Sequence, residues 1–393
     1  MLELFIDKQE NLKRIALVED GKLVEYYEEA EDENRNEGNI YIGIVKDIVK
    51  GMASAFVDIG TEKNSFIHLS DLLPKIDETK QEKNNAIPIE KVVKAGDKIL
   101  VQVKKDSNDK KGARISKHIN LPSKFIVLMP DTDIITISQK IENRDEQQRL
   151  INLVKNNLSK GNGAIIRTSA DGKNEEIIDD IKKVESKWNE IKKSSEKYNT
   201  NKPKLIYKCE DITEKILIDL ADKDLEKVIV NDKEDYAKIK KIKAENKEFE
   251  KLSISIKAEN VFETYDIEGQ VEKSKNRKIW LKCGGFITID KTEALTAIDV
   301  NTGKYTGSSD LEKTVFKVNE EATIEIARQL RLRDIGGIII IDYIDMKNEE
   351  NKQKIEQKLK ECLKKDRSKT QVEGFTKLDL IEMTRKHICS HKD

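Results

Sequence analysis

The sequence predicts an α+β fold spread over several domains, and three observations carry that prediction. The chain has 393 residues, more than one hydrophobic core comfortably serves. Between residues 39 and 116 it breaks into short strand-like runs punctuated by Gly51, Gly60 and Gly96-Asp97, the mark of a small closed barrel. After Asn276 strand-patterned and helix-patterned runs follow one another, and two of the strands end on aspartate.

Composition bounds the function only loosely. Charged residues make up 37% of the chain and aromatic residues 5%, with 73 Lys and Arg against 74 Asp and Glu. A net charge of -1 gives no global signal for nucleic acid, so any such binding must come from local patches. Cys209, Cys283, Cys362 and Cys389 are scattered without CxxC spacing, which suits free thiols in a reducing compartment. The N-terminus lacks a basic stretch followed by a long apolar core, and no uninterrupted apolar run approaches membrane-spanning length. A soluble, non-exported, cytoplasmic protein is expected.

Residues 1–36 alternate as LELFID, RIALVED and KLVEYYEEA, a meander with turns at 8–11 and at Asp20-Gly21. Three short strands form no independent core, so they need a partner from later in the chain. The barrel follows, with Phe56 and Phe66 on consecutive strands; a single strand aromatic is more often core than ligand-facing. Residues 74–92 are rich in Lys, Glu and Asn and read as a solvated loop.

KFIVLMP and IITISQKI are strands, and the spacing of Leu150, Leu153, Val154 and Leu158 predicts a helix over 144–159. GNGAIIRTSADGK then places Arg167 and Thr168 at the end of an apolar strand. A guanidinium beside a hydroxyl suits a phosphate, although most arginines so placed are merely solvated. Ile177, Ile178, Ile181, Val184, Trp188 and Ile191 share one face of a helix over 175–198. Pro203 closes this region. Beyond it KLIYKC, a helix near 212–221, KVIVND, a lysine-rich helix near 236–245 and SISIKA are expected to complete the core of the N-terminal meander.

KIWLKC, FITIDK and ALTAIDV open the last unit as three strands. Leu311, Val315, Val318, Ala322, Ile326 and Leu330 predict a helix over 311–331 that packs on them. Gly336-Gly337 leads into four consecutive isoleucines, a strand buried on both faces that stops at Asp342. A helix over 349–365 and the strands TQVEGF and KLDLIEM follow. Asp299 and Asn301 point to one face of their strand. If the two aspartate-ended strands are neighbours, Asp299 and Asp342 converge with an amide beside them, and Asp345 follows shortly after. Hard oxygen donors with one or two carboxylates make a Mg²⁺ site. Either aspartate alone is more often a turn former or a helix cap.

The runs EALTAIDVNTGKYTG, RQLRLRDIGGIIIIDYIDM and KIWLKCGGFITIDKTEA resemble the catalytic segment of the bacterial ribonuclease E/G family, closer to its ribonuclease G branch. The resemblance implies an RNase H-like structural subdomain from 1–36 and 204–276, an OB-fold RNA-binding barrel of the ribosomal S-one type at 37–119, a 5′-sensor region at 120–203, and a DNase I-like α/β catalytic domain at 277–384. The tail at 385–393 would be a degenerate zinc link. It implies that Asp299, Asn301 and Asp342 are catalytic, with Asp299 and Asp342 holding Mg²⁺. Phe56, Phe66 and Lys111 match an RNA-binding surface; the plainer alternative keeps both rings in the core. Arg167, Thr168 and Val127 match a pocket for a 5′-monophosphate. There a family glycine is Ser123 and a family arginine is Lys369, so sensing is expected in weakened form.

Family members carry a CxxC pair through which two chains share Zn²⁺, whereas this chain offers only Cys389 and His391. Cys-x-His is poor ligand spacing, although two chains together supply four N/S donors; an unliganded tail is the expected state. Lys304, Tyr305, Arg331 and Arg333 are weaker candidates for the RNA backbone, since a helix-terminal arginine pair more often meets the dipole or a carboxylate. The expected activity is Mg²⁺-dependent cleavage of single-stranded RNA by in-line attack of an activated water. Substrates favoured would be 5′-monophosphorylated, in rRNA and tRNA processing and mRNA turnover. Partners expected are rRNA precursors, mRNA and further copies of the chain as a homodimer or homotetramer. A non-catalytic RNA-binding or ribosome-assembly factor is the alternative, and a deoxyribonuclease a weaker third.

Overall fold

The protein is described as a computed structural model covering residues 1–30, 36–74, 87–107, 111–209, 211–220, 224–257, 260–303 and 311–388. Two compact units emerge, one from Met1–Asp32 with Leu220–His391, the other centred on Glu33–Asp219.

The chain begins with the strands β1 (Leu2–Gln9), β2 (Leu12–Glu19) and β3 (Lys22–Ala30), an antiparallel meander. Asp20 and Gly21 have φ of 51° and 74°, the two left-handed positions that a type I′ hairpin turn requires.

The barrel of the second unit comprises β4 (Ile40–Val49), β5 (Ser54–Asp58), β6 (Ser65–His68), β7 (Lys98–Lys105) and β8 (Arg114–Ser116), with the short helix α1 (Leu69–Leu72) after β6. Pairing runs β4, β5, β6, β8, β7, and β7 returns to β4, which closes the barrel. Its interior is filled by Val45, Ala55, Val57, Ile67, Val101, Val103 and Ile115. A four-stranded sheet follows, from β9 (Leu121–Pro122), β10 (Ile126–Pro130), β11 (Ile135–Ile137) and β12 (Asn162–Ile166). Helices α2 (Arg144–Asn157) and α3 (Glu175–Glu196) form its core through Leu150, Val154, Ile177, Ile181, Val184 and Trp188. The Asn143 side chain caps α2 by accepting from the amides of Asp145 and Glu146. Residues at 204–207 were expected in the sheet of the N-terminal meander. Instead β13 (Lys204–Tyr207) pairs antiparallel with β4, because the edge of β4 there lacks another partner. Helix α4 (Ile212–Leu220) follows.

The meander gains its partners from β14 (Leu225–Val230) and β15 (Ser253–Ile256), around α5 (Lys233–Glu245). The sheet order is β15, β14, β1, β2, β3, with β14 parallel to both β1 and β15. Two short helices not foreseen from the sequence, α6 (Val261–Thr264) and α7 (Ile267–Ser274), bring Val261, Phe262, Ile267 and Val271 onto Phe5, Ala16 and Val18. The last sheet is built from β16 (Lys278–Trp280), β17 (Phe286–Lys291), β18 (Leu295–Asn301), β19 (Gly337–Asp342), β20 (Thr370–Phe375) and β21 (Leu380–Arg385). Its order is β16, β17, β18, β19, β21, β20. Helices α8 (Leu311–Leu332) and α9 (Glu349–Leu363) cover one face with Val315, Val318, Ala322, Ile326, Ile355 and Leu359. On the opposite face, outward residues such as Asp299, Asp342, Glu382 and Thr384 are exposed.

Within the first unit a buried charge cluster joins the meander to the last sheet. Glu25 on β3 accepts from Arg331 Nη2 at 2.9 Å, from Arg367 Nη2 at 2.5 Å and from the Tyr27 hydroxyl at 3.0 Å. Burial by itself pushes the Glu25 carboxyl up, but the charges and hydrogen bonds of Arg367 and Arg331 outweigh it and hold the group at about 2. A carboxylate held below its ordinary 4.5 stabilises the fold above that pH, and the contribution is lost as pH falls toward the folded value. Glu25→Gln is expected to destabilise the protein at neutral pH by about 3–5 kcal/mol, since it leaves buried guanidinium charge uncompensated. In thermal denaturation the gap between wild type and variant narrows as pH drops from 4.5 toward 2; a gap independent of pH would refute this assignment.

Candidate active site

Strands β18 and β19 run parallel, and Asp299 stands directly across from Asp342 in their register. The sequence explains the placement locally. Inward positions Thr296, Ile298 and Val300 are buried, so by alternation Ala297, Asp299 and Asn301 face outward. On β19 Ile339 and Ile341 are buried while Ile338 is 51% exposed. The expectation that this strand is buried on both faces therefore fails: the helices cover one side only. Asn301 donates from Nδ2 to Asp299 Oδ2 at 2.5 Å. Burial, followed by the negative charges of Asp299 and Asp345, raises the pKa of Asp342.

The loop beyond Asp342 is tied to α8. Asn319, fully buried, donates to the Ile344 carbonyl at 2.8 Å and accepts from the Ile344 amide at 3.1 Å. The Tyr343 hydroxyl lies 2.9 Å from Thr323 Oγ1, and Glu312 accepts from the amides of Lys347 and Asn348. Asn319 positions the aspartate loop, and the sequence offered one signal for it: a polar residue on the apolar face of a helix.

Among the described residues no group of three or more His, Cys, Asp or Glu is arranged to hold a metal ion. Mg²⁺ needs no such cage, since it binds through one or two carboxylates and keeps its remaining waters. Adjacent carboxylates, one of them with a raised pKa, repel each other until a cation or proton intervenes. The donor set fits a hard divalent cation on those grounds.

In the barrel, Phe56 and Phe66 face each other across β5 and β6. Their rings meet edge to face, centroids 6.2 Å apart at 68°. Phe56 is 37% exposed and Phe66 half-buried, so Phe56 lies outside the barrel core, and Lys111 is exposed. Arg167 follows β12, donating from Nη1 to the Ser123 carbonyl at 2.7 Å and pairing with Asp219. The Thr168 hydroxyl lies 2.9 Å from Ser138 Oγ, and Val127 on β10 is half-buried. Any phosphate approaching Arg167 competes with Asp219. Lys369 is exposed just before β20 in the first unit.

Arg331 is 7% exposed and spends its guanidinium on Glu25, which corrects its candidacy for RNA. Arg333 donates to Gln329 Oε1 and to the Asn276 carbonyl, and burial lowers its pKa. Lys304, Tyr305, Cys389 and His391 lie outside the described residues.

Comparison with known proteins joins this geometry to a family. The profile of the Ribonuclease E/G family matches residues 120–388, and that of the S1 RNA binding domain matches residues 35–118. Over 391 residues the chain is 39% identical to Ribonuclease G of Haemophilus influenzae, covering 98% of this chain and 79% of that protein. Identity to Ribonuclease G of Escherichia coli (strain K12) is 37% over 390 residues, with the same coverage. Ribonuclease E of Nostoc sp. is 33% identical over 356 residues, covering 89% of this chain and 51% of that protein. The chain belongs to the Ribonuclease E/G family, with an S1 RNA binding domain ahead of the family's matched region.

Proposed function

We propose that this chain cleaves single-stranded RNA at the open face of its last sheet, with Asp299 and Asp342 holding Mg²⁺ and Asn301 orienting the groups around it. Family membership makes it an endoribonuclease, a hydrolase of RNA. The observation that carries the residue assignment is the side-by-side pairing of Asp299 and Asp342, with Asn301 bonded to the former. Mg²⁺ bound there supplies charge stabilisation at the phosphate and lowers the pKa of a water for in-line attack. The chain's own contribution is to hold the carboxylates in register, to fix Asp299 through Asn301, and to anchor the Asp342 loop through Asn319. Products with 5′-phosphate and 3′-hydroxyl ends follow from this reading.

The remaining assignments belong to the same proposal. The meander sheet with its helices is a scaffold of RNase H-like kind, and the last sheet with α8 and α9 is DNase I-like. The domain borders of this reading lie near residues 36, 119 and 276, and the border expected at 203 moves to about 219, since β13 pairs with β4. Phe56, Phe66 and Lys111 bind RNA, and Arg167, Thr168 and Val127 grip a 5′-monophosphate. Substrates are rRNA precursors, tRNA precursors and mRNA in the cytoplasm, and the chain assembles as a homodimer or homotetramer. Free Cys209, Cys283 and Cys362 suit a reducing compartment. No helix among the described residues is long and apolar enough to cross a membrane.

Asp299→Ala and Asp342→Ala are each expected to lower the cleavage rate of single-stranded RNA by at least about 10³-fold, roughly 4 kcal/mol of transition-state stabilisation. RNA binding in a filter or anisotropy assay should persist. Cleavage that survives either substitution, or that is insensitive to chelator, would overturn the assignment. Arg167→Ala should abolish the preference for 5′-monophosphate over 5′-hydroxyl substrates, an advantage expected at about 10-fold from a charge-assisted grip. An unchanged ratio in paired cleavage assays would remove Arg167 from that role.

A further inference from the structure

The open face that carries Asp299 and Asn301 also carries an aromatic pair that the proposed chemistry leaves unused. Trp280 on β16 is 58% exposed and stands opposite Phe286 on β17, which in turn stands opposite Asn301 on β18. Directly opposed residues of antiparallel strands share a face, so the three side chains form one row across the sheet. At about 4.8 Å per strand, Phe286 is one strand and Trp280 two strands from Asn301. The rings meet edge to face with centroids 5.3 Å apart at 62°. Lys278 covers them, its Nζ 3.5 Å from the Phe286 centroid and 4.3 Å from that of Trp280.

The pair is held in place. Glu321 on α8 accepts from the amides of Lys282 and Cys283 at 2.9 Å each, which pins the β16–β17 turn to the helix. Gly303, at φ +59°, lies against both rings: a Cβ there would meet Phe286 Cδ1 at 3.2 Å, Trp280 Cζ3 at 3.4 Å and the Gly284 carbonyl at 2.5 Å. The turn that leaves Asn301 thus packs directly on the aromatic pair. A large ring left exposed forfeits burial energy. Here it adjoins carboxylates assigned to phosphate chemistry and a lysine able to meet a phosphodiester.

We infer that Trp280 and Phe286, with Lys278 above them, form a stacking platform for a nucleobase of single-stranded RNA next to the phosphate held at Asp299. Aromatic faces accept any base, and the cation neutralises the strand's backbone. The inference rests on the endoribonuclease reading for the identity of the strand, and its test is independent of turnover. The chain has two tryptophans, and Trp188 is only 7% exposed. Quenching of tryptophan emission therefore reports on Trp280.

The full-length protein is titrated, with chelator present, with a single-stranded RNA decamer of A and U. Wild type and Trp188→Phe should show quenching, and Trp280→Leu should not. In cleavage assays Trp280→Leu should raise KM about 10-fold while kcat stays within about two-fold, as expected for lost stacking that is equal in ground and transition states. Lys278→Ala should shift KM in the same direction. An abasic nucleotide moved along the decamer should abolish quenching at one position. Quenching that survives in Trp280→Leu, a KM that does not move, or an exposed ring covered instead by a second copy, seen as a doubled mass that Trp280→Leu halves, would each overturn the platform. Wild-type quenching without cleavage would leave the platform standing and remove only the endoribonuclease reading.

Discussion

Strands β18 and β19 lie side by side and parallel, and a parallel pair cannot be closed by a tight turn. The chain must leave the end of one strand, cross the sheet and return to the beginning of the other. Helix α8 makes that crossing, and its apolar stripe is the main cover of the sheet's inner face. Two consequences follow. Equivalent ends of the two strands emerge at the same edge, so Asp299 and Asp342 become neighbours without any contact between their local sequences. The same crossing brings Asn319 beneath the Asp342 loop, where its amide satisfies the backbone of Ile344. Neighbouring carboxylates are costly to hold without a cation; the strand register imposes that cost and thereby defines the site.

Arginines in the same stretch of sequence serve the frame. Arg328 donates to the Leu23 carbonyl at 2.7 Å, Arg331 meets Glu25, and Arg333 reaches Asn276. Arg385, with its side chain wholly inaccessible, pairs with Asp366 and Asp334 at 2.7 Å each. A buried guanidinium is tolerated only when its partners are close and its donors satisfied, and each of these is. Such pairs set the geometry of the first unit: β3 is tied to α8 and to the segment after α9 through one carboxylate. A positively charged motif near a nucleic-acid site is thus no evidence of contact with nucleic acid. The positive charges that remain outward are lysines and exposed arginines such as Arg114 and Arg277, while Arg167 is half-buried.

Affinity for RNA in a protein of net charge -1 must come from such local arrangements. The barrel offers an edge-to-face phenylalanine pair with one ring exposed, and the open face of the last sheet offers a second aromatic pair under a lysine. Under the proposed function both pairs would act by the same physics, a π-face that tolerates any base and a cation that meets the backbone. Arg167 differs: its guanidinium is already engaged by Asp219 and Ser123, so a phosphate bound there, as proposed, would gain only the difference between two partners.

Much of this was legible in the sequence because it is local. Period-two alternation marked the meander and the barrel, helical spacing marked α2, α3, α8 and α9, and Asp20-Gly21 marked a hairpin turn. Each aspartate was visible as the end of an apolar strand, and long motifs carried the family. What the sequence could not decide depends on pairing. Lys204–Tyr207 reads as a strand wherever it goes, and only the free edge of β4 sent it to the barrel. Four isoleucines look buried on both sides, yet Ile338 is open because the helices cover one face. Trp280 lies in a run too short to show which face it takes, and its standing two strands from Asn301 is a matter of sheet register alone. Local sequence determined which residues form strands and helices and which of them end in carboxylates, because backbone preference and side-chain periodicity act over a few residues. Tertiary structure decided which of those ends meet and which rings stay in solvent, because burial and register are properties of neighbours that the chain brings together from a distance.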